Sequence, residues 1–330
     1  MSLEFSNAEE AKDYAEYTLG VDDDAVRRLV LQSAITREMM KVLLPEKVIT
    51  QLRNISGRGE QPRIADIGTG PGNWLFDVRA QLREEGINAI LDGYDLYPAM
   101  FPPEETSKAE DVNFSELNIH TKEQFIPLEK YDVIHIRYLS AAIGPEQWDG
   151  AFDNCMSILK PGGIFMWEEL LLEKMSINDP TKWTNVLAVF KLNWSILRRN
   201  DVDPKLSSLF STKLEEMTKE EFTTQSLPEK GQRMQAANMS MATKELVDRA
   251  VEHGEAVVKH LGLESAEQLQ GMLKLAQKDF KEGCVLHMPV NRWAGVKPLG
   301  IATGRTTGDG SGDLESVQAG WAEAFKKWLC

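Results

Sequence analysis

The run Asp66-Ile67-Gly68-Thr69-Gly70-Pro71-Gly72 joins a carboxylate to three glycines at alternate positions, directly after the short apolar run Arg63–Ile67. Glycine lets a chain turn at positive φ and approach a ligand closely. A helix expected to begin near Asn73 would aim its first amides and the positive end of its dipole at the same ligand. A dinucleotide loop needs G-x-G-x-x-G, but here the third glycine comes one residue early and Asn73 occupies its place. A carboxylate at the head of the loop repels a pyrophosphate and attracts an ammonium and a sulfonium. The loop therefore points to S-adenosylmethionine as cofactor. Asp95, in Gly93-Tyr94-Asp95-Leu96 at the end of the next expected strand, is placed to bind a ribose diol. The plainer alternative is that Asp66 and Asp95 cap turns and the glycines only tighten one.

Methyl transfer from a sulfonium is an in-line displacement, so alignment in a dry site supplies much of the acceleration. A general base, contributing about 10²–10⁴-fold, is needed only where the acceptor loses a proton. The candidates are His135, near the end of the run Tyr131–Ile136, and Glu168 and Glu169, after Gly163–Trp167. Side chains alternate along a strand, so one of the two carboxylates faces the cleft; Glu168 is the expected one. For His135 the alternative is a buried histidine satisfied by backbone. His253, His260 and His287 lack partners at ligand spacing, and Cys155, Cys284 and Cys330 form no zinc pattern, so no metal is expected.

These residues need a scaffold that brings strand ends together. Short apolar runs at Arg63–Ile67, Ala89–Tyr94, Tyr131–Ile136 and Gly163–Trp167, separated by amphipathic stretches, are the pattern of βαβ units. Before them, Asp22-Asp23-Asp24 opens an amphipathic helix. From about 174 to 283 strand signals stop and only helical patterns remain: Trp183, Leu187, Phe190, Trp194 and Leu197 share one face, and Thr218–Glu221 and Ser265–Gln268 fit capping boxes. The expected architecture is α/β: an N-terminal helical segment (1–60), a Rossmann-like cofactor-binding domain (61–173), an inserted helical cap over the substrate (174–283), and a last strand with a C-terminal helix (284–330). The stripe at 183–197 and Met234, Met239 and Met241 could roof an apolar pocket or simply pack the cap.

The 330 residues carry a formal charge of −14, a field that disfavours nucleic acid and anionic membranes as partners. No apolar run reaches the roughly 20 residues of a membrane span, and MSLEFSNAEE lacks the features of a signal peptide. With three scattered cysteines, the expected setting is the cytoplasm, the nucleus being possible.

The sequence resembles the fungal LaeA-like class I methyltransferases, in YTLGVDDDAVRRLVLQ (17–32), DIGTGPGNW (66–74), GYDLYPAMFPPE (93–104), YDVIHIRYLSAAI (131–143) and LKPGGIFMWEE (159–169). The resemblance implies that Asp66, Gly68, Thr69, Gly70 and Gly72 surround the methionine part of the cofactor. It implies that Asp95 and Leu96 meet the ribose, that Asn118 and Ile119 flank adenine, and that Arg137 closes the pocket. It implies an O- or N-methyltransferase acting on a small-molecule secondary metabolite. The alternatives are a LaeA-like regulator working through protein partners and a cyclase or pericyclase that retains the cofactor. The family also has a further strand after its last helices, for which only Cys284–Val290 remains, with Pro289 lacking an amide donor. Either that segment pairs into a six-stranded sheet or another chain covers the edge. The apolar face Leu314, Val317, Trp321, Phe325 and Leu329 favours a homodimer.

Overall fold

The computed structural model describes residues 23–299, apart from 126, 145, 172–173, 198–201, 253, 255–257 and 260–261. Its centre is a seven-stranded sheet, β3-β2-β1-β4-β5-β9-β7. The strands are β1 (Arg63–Ile67), β2 (Ile90–Asp95), β3 (Val112–Glu116), β4 (Tyr131–Arg137), β5 (Leu159–Leu170), β7 (Glu215–Thr223) and β9 (Pro289–Val296). Strands β1 to β5 run parallel, while β9 is antiparallel to both β5 and β7. Helices cover both faces of the central strands, so those strands read as apolar runs rather than alternating ones.

On one face, α2 (Glu46–Gly57) and α3 (Asn73–Glu84) set Leu52, Leu75 and Val78 in a core with Ile64, Val133 and Met166. On the other, α5 (Trp148–Ile158) and α7 (Val202–Lys213) bring Phe152 and Phe210 against Phe165. Helix α4 (Glu104–Glu110) links β2 to β3. Above the carboxyl ends of the strands, α1 (Asp23–Met40) packs on α8 (Glu229–Glu252), and α8 packs on α9 (Ala266–Lys281), which also meets α6 (Thr184–Leu197). Arg28 of α1 and Glu245 of α8 clasp the two roof helices, the guanidinium Nε donating to both carboxylate oxygens at 2.9 and 2.8 Å.

Three expectations need correction. The segment 174–283 is not purely helical: β7 forms an edge of the main sheet, and Thr218–Glu221 lies on that strand rather than capping a helix. Its side chains are mostly exposed and five of the nine are charged, which suits an edge and hides the strand from a search for apolar runs. The segment Cys284–Val290 is not one strand either. It divides between β8 (Leu286–His287), paired with β6 (Ser176–Ile177), and the start of β9. Pro289 tolerates its missing donor as the first residue of β9. The slot beside β5 is thus filled from within the chain, giving seven strands rather than six, and the sheet does not call for a second chain. At Ser265 the cap forms, Ser265 Oγ accepting the Gln268 amide at 3.4 Å, but Gln268 Oε1 accepts the amide of Glu264 at 2.7 Å instead of that of Ser265, so the box closes one residue early. The helix expected over Leu314–Leu329, the entry segment before Asp23, and the side chains of Trp194 and Leu197 lie outside what the structure describes.

Candidate active site

The glycine loop leaves the end of β1 and enters α3. Gly68, Gly70 and Gly72 adopt φ of 72°, 52° and 77°, the left-handed region where a Cβ is costly. Space is also tight at two of the three: a Cβ on Gly68 would stand 2.8 Å from Leu139 Cδ1, the movable end of that side chain, and one on Gly72 would run into the Phe114 ring. Two loop amides, from Gly68 and Thr69, donate to the carbonyl of Tyr94 on β2 at 2.8 and 2.9 Å. Asp95 completes the tie, its Oδ2 accepting the Gly70 amide at 2.8 Å and its Oδ1 the Tyr97 amide at 3.0 Å. Burial pushes the Asp95 pKa upward against these amides. The two carboxylates expected to bind cofactor therefore flank one rigid loop.

Asp66 is 3% exposed and doubly held. Thr69 Oγ1 donates to its Oδ2 at 2.7 Å, and His135 Nδ1 lies 2.7 Å from its Oδ1. The register of β1 against β4 sets Asp66 opposite His135, and Trp74, in the first turn of α3, stacks on the imidazole at 3.7 Å. His135 is fully buried under that indole and stands behind Asp66, outside the cavity lining. Its other nitrogen is 3.5 Å from Glu168.

Glu168 is the counter-ion of a buried row of charges and does not face the cleft. Arg137 Nε donates to its Oε2 at 2.5 Å, and Arg292 Nε, from the residue opposite on β9, donates to its Oε1 at 2.8 Å. Arg292 also donates to Val42 O at 2.8 Å and to Glu220 on β7 at 3.2 Å. Burial alone would raise the Glu168 pKa, but the flanking Arg137 and Arg292 charges, with His135, hold it well below the carboxylate range. The alternation expected along the strand holds, with Glu169 and not Glu168 on the cavity side. Glu169 is the carboxylate that lines the cavity. It accepts the Ser140 amide at 2.9 Å and Trp167 Nε1 at 3.3 Å on Oε2, and the Leu170 amide at 3.1 Å on Oε1. Burial raises its pKa against those amides.

These strand ends floor a cavity of about 550 Å³. Asp66, Gly68, Thr69, Gly70, Asp95, Leu96, Asn118, Ile119 and Arg137 all line it; Gly72 stands just behind, at the start of α3. Asn118 is fixed by a local turn, its Oδ1 accepting the His120 amide at 2.9 Å and its own amide donating to Gln124 Oε1 at 2.6 Å. Of the residues that the sequence offers for a roof, Phe190 and Met239 line the cavity, whereas Met234 and Met241 do not. The roof comes from α1 (Arg28, Gln32, Thr36, Met39), from Phe190, and from a stripe of α8: Gln235, Asn238, Met239, Ala242, Thr243 and Leu246. That stripe mixes amides and hydroxyls with apolar residues, so its helical periodicity is masked in the sequence. Tyr138, at φ 55° just after β4, reaches up to Thr36 on the roof, their oxygens 2.8 Å apart. Of the aromatic stripe, Trp183 is cap core at 3% exposure, whereas Phe190 lines the chamber.

Residues 65–165 match a methyltransferase domain family. The chain is 35% identical over 112 residues to methyltransferase grgD of Penicillium sp, covering 33% of this chain and 38% of that protein. It is 30% identical over 139 residues to N-methyltransferase tcpN of Claviceps purpurea, covering 41% and 46%. It is also 30% identical over 110 residues to the secondary metabolism regulator LAE1 of Gibberella fujikuroi, covering 33% and 32%. The chain thus spans less than half the length of the curated relatives it matches. The family match at 65–165 spans the glycine loop, Asp95 and the strand that carries His135.

Proposed function

We propose that this chain, a fungal LaeA-like class I methyltransferase by its domain and its relatives, transfers a methyl group from S-adenosylmethionine to an oxygen or nitrogen of a small, largely apolar secondary metabolite. One observation carries the reading: Asp66 and Asp95, the two carboxylates that flank the glycine loop, open into the same roofed cavity as an apolar chamber beneath α1 and α8.

The residues present suit the cofactor. Arg28 is paired by Glu245 and Arg137 by Glu168, so the carboxylates of Asp66, Asp95 and Glu169 set the sign of the cavity. A ligand with a net positive charge is favoured there, and a pyrophosphate is disfavoured. Bound, the cofactor would supply an electrophilic methyl on sulfonium. Asp66 would face its cationic methionine end and Asp95 its ribose, while Asn118 and Ile119 would border the base. His135 has no opening to the acceptor and acts by holding Asp66. Glu169, raised in pKa and facing the chamber, is the group suited to take a proton from a hydroxyl or protonated amine. A concave, mostly apolar chamber lined by Met39, Phe190, Met239 and Leu246 supports a small acceptor over a protein partner.

The test is direct. S-adenosylhomocysteine should bind by calorimetry, and incubation with S-adenosylmethionine and a metabolite extract should yield a product about 14 mass units heavier. Binding of NADH in preference to S-adenosylhomocysteine would reject the reading.

A further inference from the structure

Along the cavity stripe of α8 most polar side chains are satisfied within the protein. Gln235 Nε2 donates to Met288 Sδ at 2.7 Å, and Thr243 Oγ1 donates to Met239 O at 2.7 Å. Asn238 breaks the pattern. It is 3% exposed and lines the cavity, yet its Oδ1 has no hydrogen-bond partner among the described residues. A second unpartnered oxygen lies across the roof on α1, Ser33 Oγ, also buried and in the lining. A buried amide oxygen left unpaired is destabilising. Such a group is retained where a ligand completes it, and a site built so rejects analogues that cannot do so.

We infer that Asn238 is the specificity-determining residue for the methyl acceptor, and that the acceptor is a neutral, mostly apolar molecule presenting an N–H or O–H donor to Asn238 Oδ1. The inference rests on the methyl-transfer reading only in calling the ligand an acceptor. Charge supports the neutral class: a carboxylate balances each cavity guanidinium, Glu245 for Arg28 and Glu168 for Arg137, although Arg28 Nη2 and Arg137 Nη2 have no hydrogen-bond partner among the described residues, and Asp66, Asp95 and Glu169 repel an anion. Met39, Met239, Leu246 and Phe190 supply the apolar walls.

The probes are two matched pairs, indole with 1-methylindole and 2-naphthol with 2-methoxynaphthalene, titrated by NMR into the full chain with and without S-adenosylhomocysteine. The N–H or O–H member of each pair should bind roughly ten-fold more tightly in the wild type, as expected when one neutral hydrogen bond is at stake. Asn238→Leu should abolish that preference while affinity for S-adenosylhomocysteine is unchanged. Asn238→Asp, which keeps an acceptor at the same place, should preserve it and keeps the test decisive if the leucine variant does not fold. Equal binding within the pairs, binding of none of the four, or a preference that survives in Asn238→Leu would overturn the assignment. Discrimination by Asn238 without any binding of S-adenosylhomocysteine would support the assignment and count against methyl transfer.

Discussion

His135 Nδ1 stands 2.7 Å from Asp66 Oδ1 while its ring lies on the indole of Trp74, the two planes 5° apart. The carboxylate at the head of the glycine loop is thus fixed from behind by a group that never touches the cavity. Asp66→Asn retains the shape but has one oxygen for two partners, His135 and Thr69. Removing hydrogen bonds to a charged group costs about 1.5–3 kcal/mol, so affinity for S-adenosylhomocysteine should fall by roughly 10–100-fold. Calorimetry on the variant checks this, and an unchanged Kd would detach Asp66 from cofactor binding.

Asp95→Ala should weaken the same ligand by about 1–3 kcal/mol. It removes the acceptor of the Gly70 and Tyr97 amides together with the carboxylate that would meet the ribose. A comparison of S-adenosylhomocysteine with its 2′-deoxy analogue separates the two effects. The wild type should prefer the hydroxylated ligand, and the variant should bind both alike.

Glu168→Gln leaves Arg137 and Arg292 buried with one neutral partner, and breaking a buried ion set in this way costs about 3–5 kcal/mol. The expected loss of Tm is large, and it should depend on pH. Because the folded protein holds the Glu168 pKa below its ordinary value of 4.5, this ion set stabilises fully above that value. The contribution drains away as pH falls toward the lower folded value. Melting curves of wild type and variant should therefore converge in strong acid and diverge above about pH 4.5. A constant separation at every pH would contradict the account.

For Glu169 the sign is opposite, since burial raises its pKa. If it receives the acceptor's proton, kcat/KM should fall as pH drops through a carboxyl value above 4.5, the ordinary figure. Glu169→Gln should be slower by about 10²–10⁴-fold and lack that acid limb. A rate profile with the limb intact in the variant would move the base elsewhere.

Gly72→Ala should destabilise twice over: once through a left-handed φ, about 1–2 kcal/mol, and again through collision with Phe114. Adding Phe114→Leu should recover the steric part alone. A double variant as unstable as Gly72→Ala would show that the ring yields freely and that φ carries the whole cost.

Much of this site was legible because its chemistry sits where local rules are strict. Glycines at 68, 70 and 72 announce a loop with successive left-handed turns, and Asp95 ends a short run whose length and spacing suit a strand. The two sheet edges were not legible. Both β3 (VNFSE) and β7 (EEMTKEEFT) leave most side chains exposed, so neither needs the apolar alternation that marks a strand. The choice between Glu168 and Glu169 was hidden for another reason: the partner that claims Glu168, Arg292, lies 124 residues on. No local pattern signals a pairing made through sheet order. The roof stripe on α8 escaped because its polar members face a cavity instead of solvent.

The position of Arg292 also bears on how the protein comes into being. A ribosome delivers β1, β4 and β5 well before it delivers β9, so the nascent sheet already holds Glu168 and Arg137 while the slot beside β5 is open. During that interval the edge of β5 is unpaired and Glu168 lacks its second guanidinium. Packing of the cofactor half is then completed only by a strand made near the end of the described chain, after the acceptor roof has emerged. A polypeptide interrupted before β9 would therefore expose the bare edge of β5 to its neighbours.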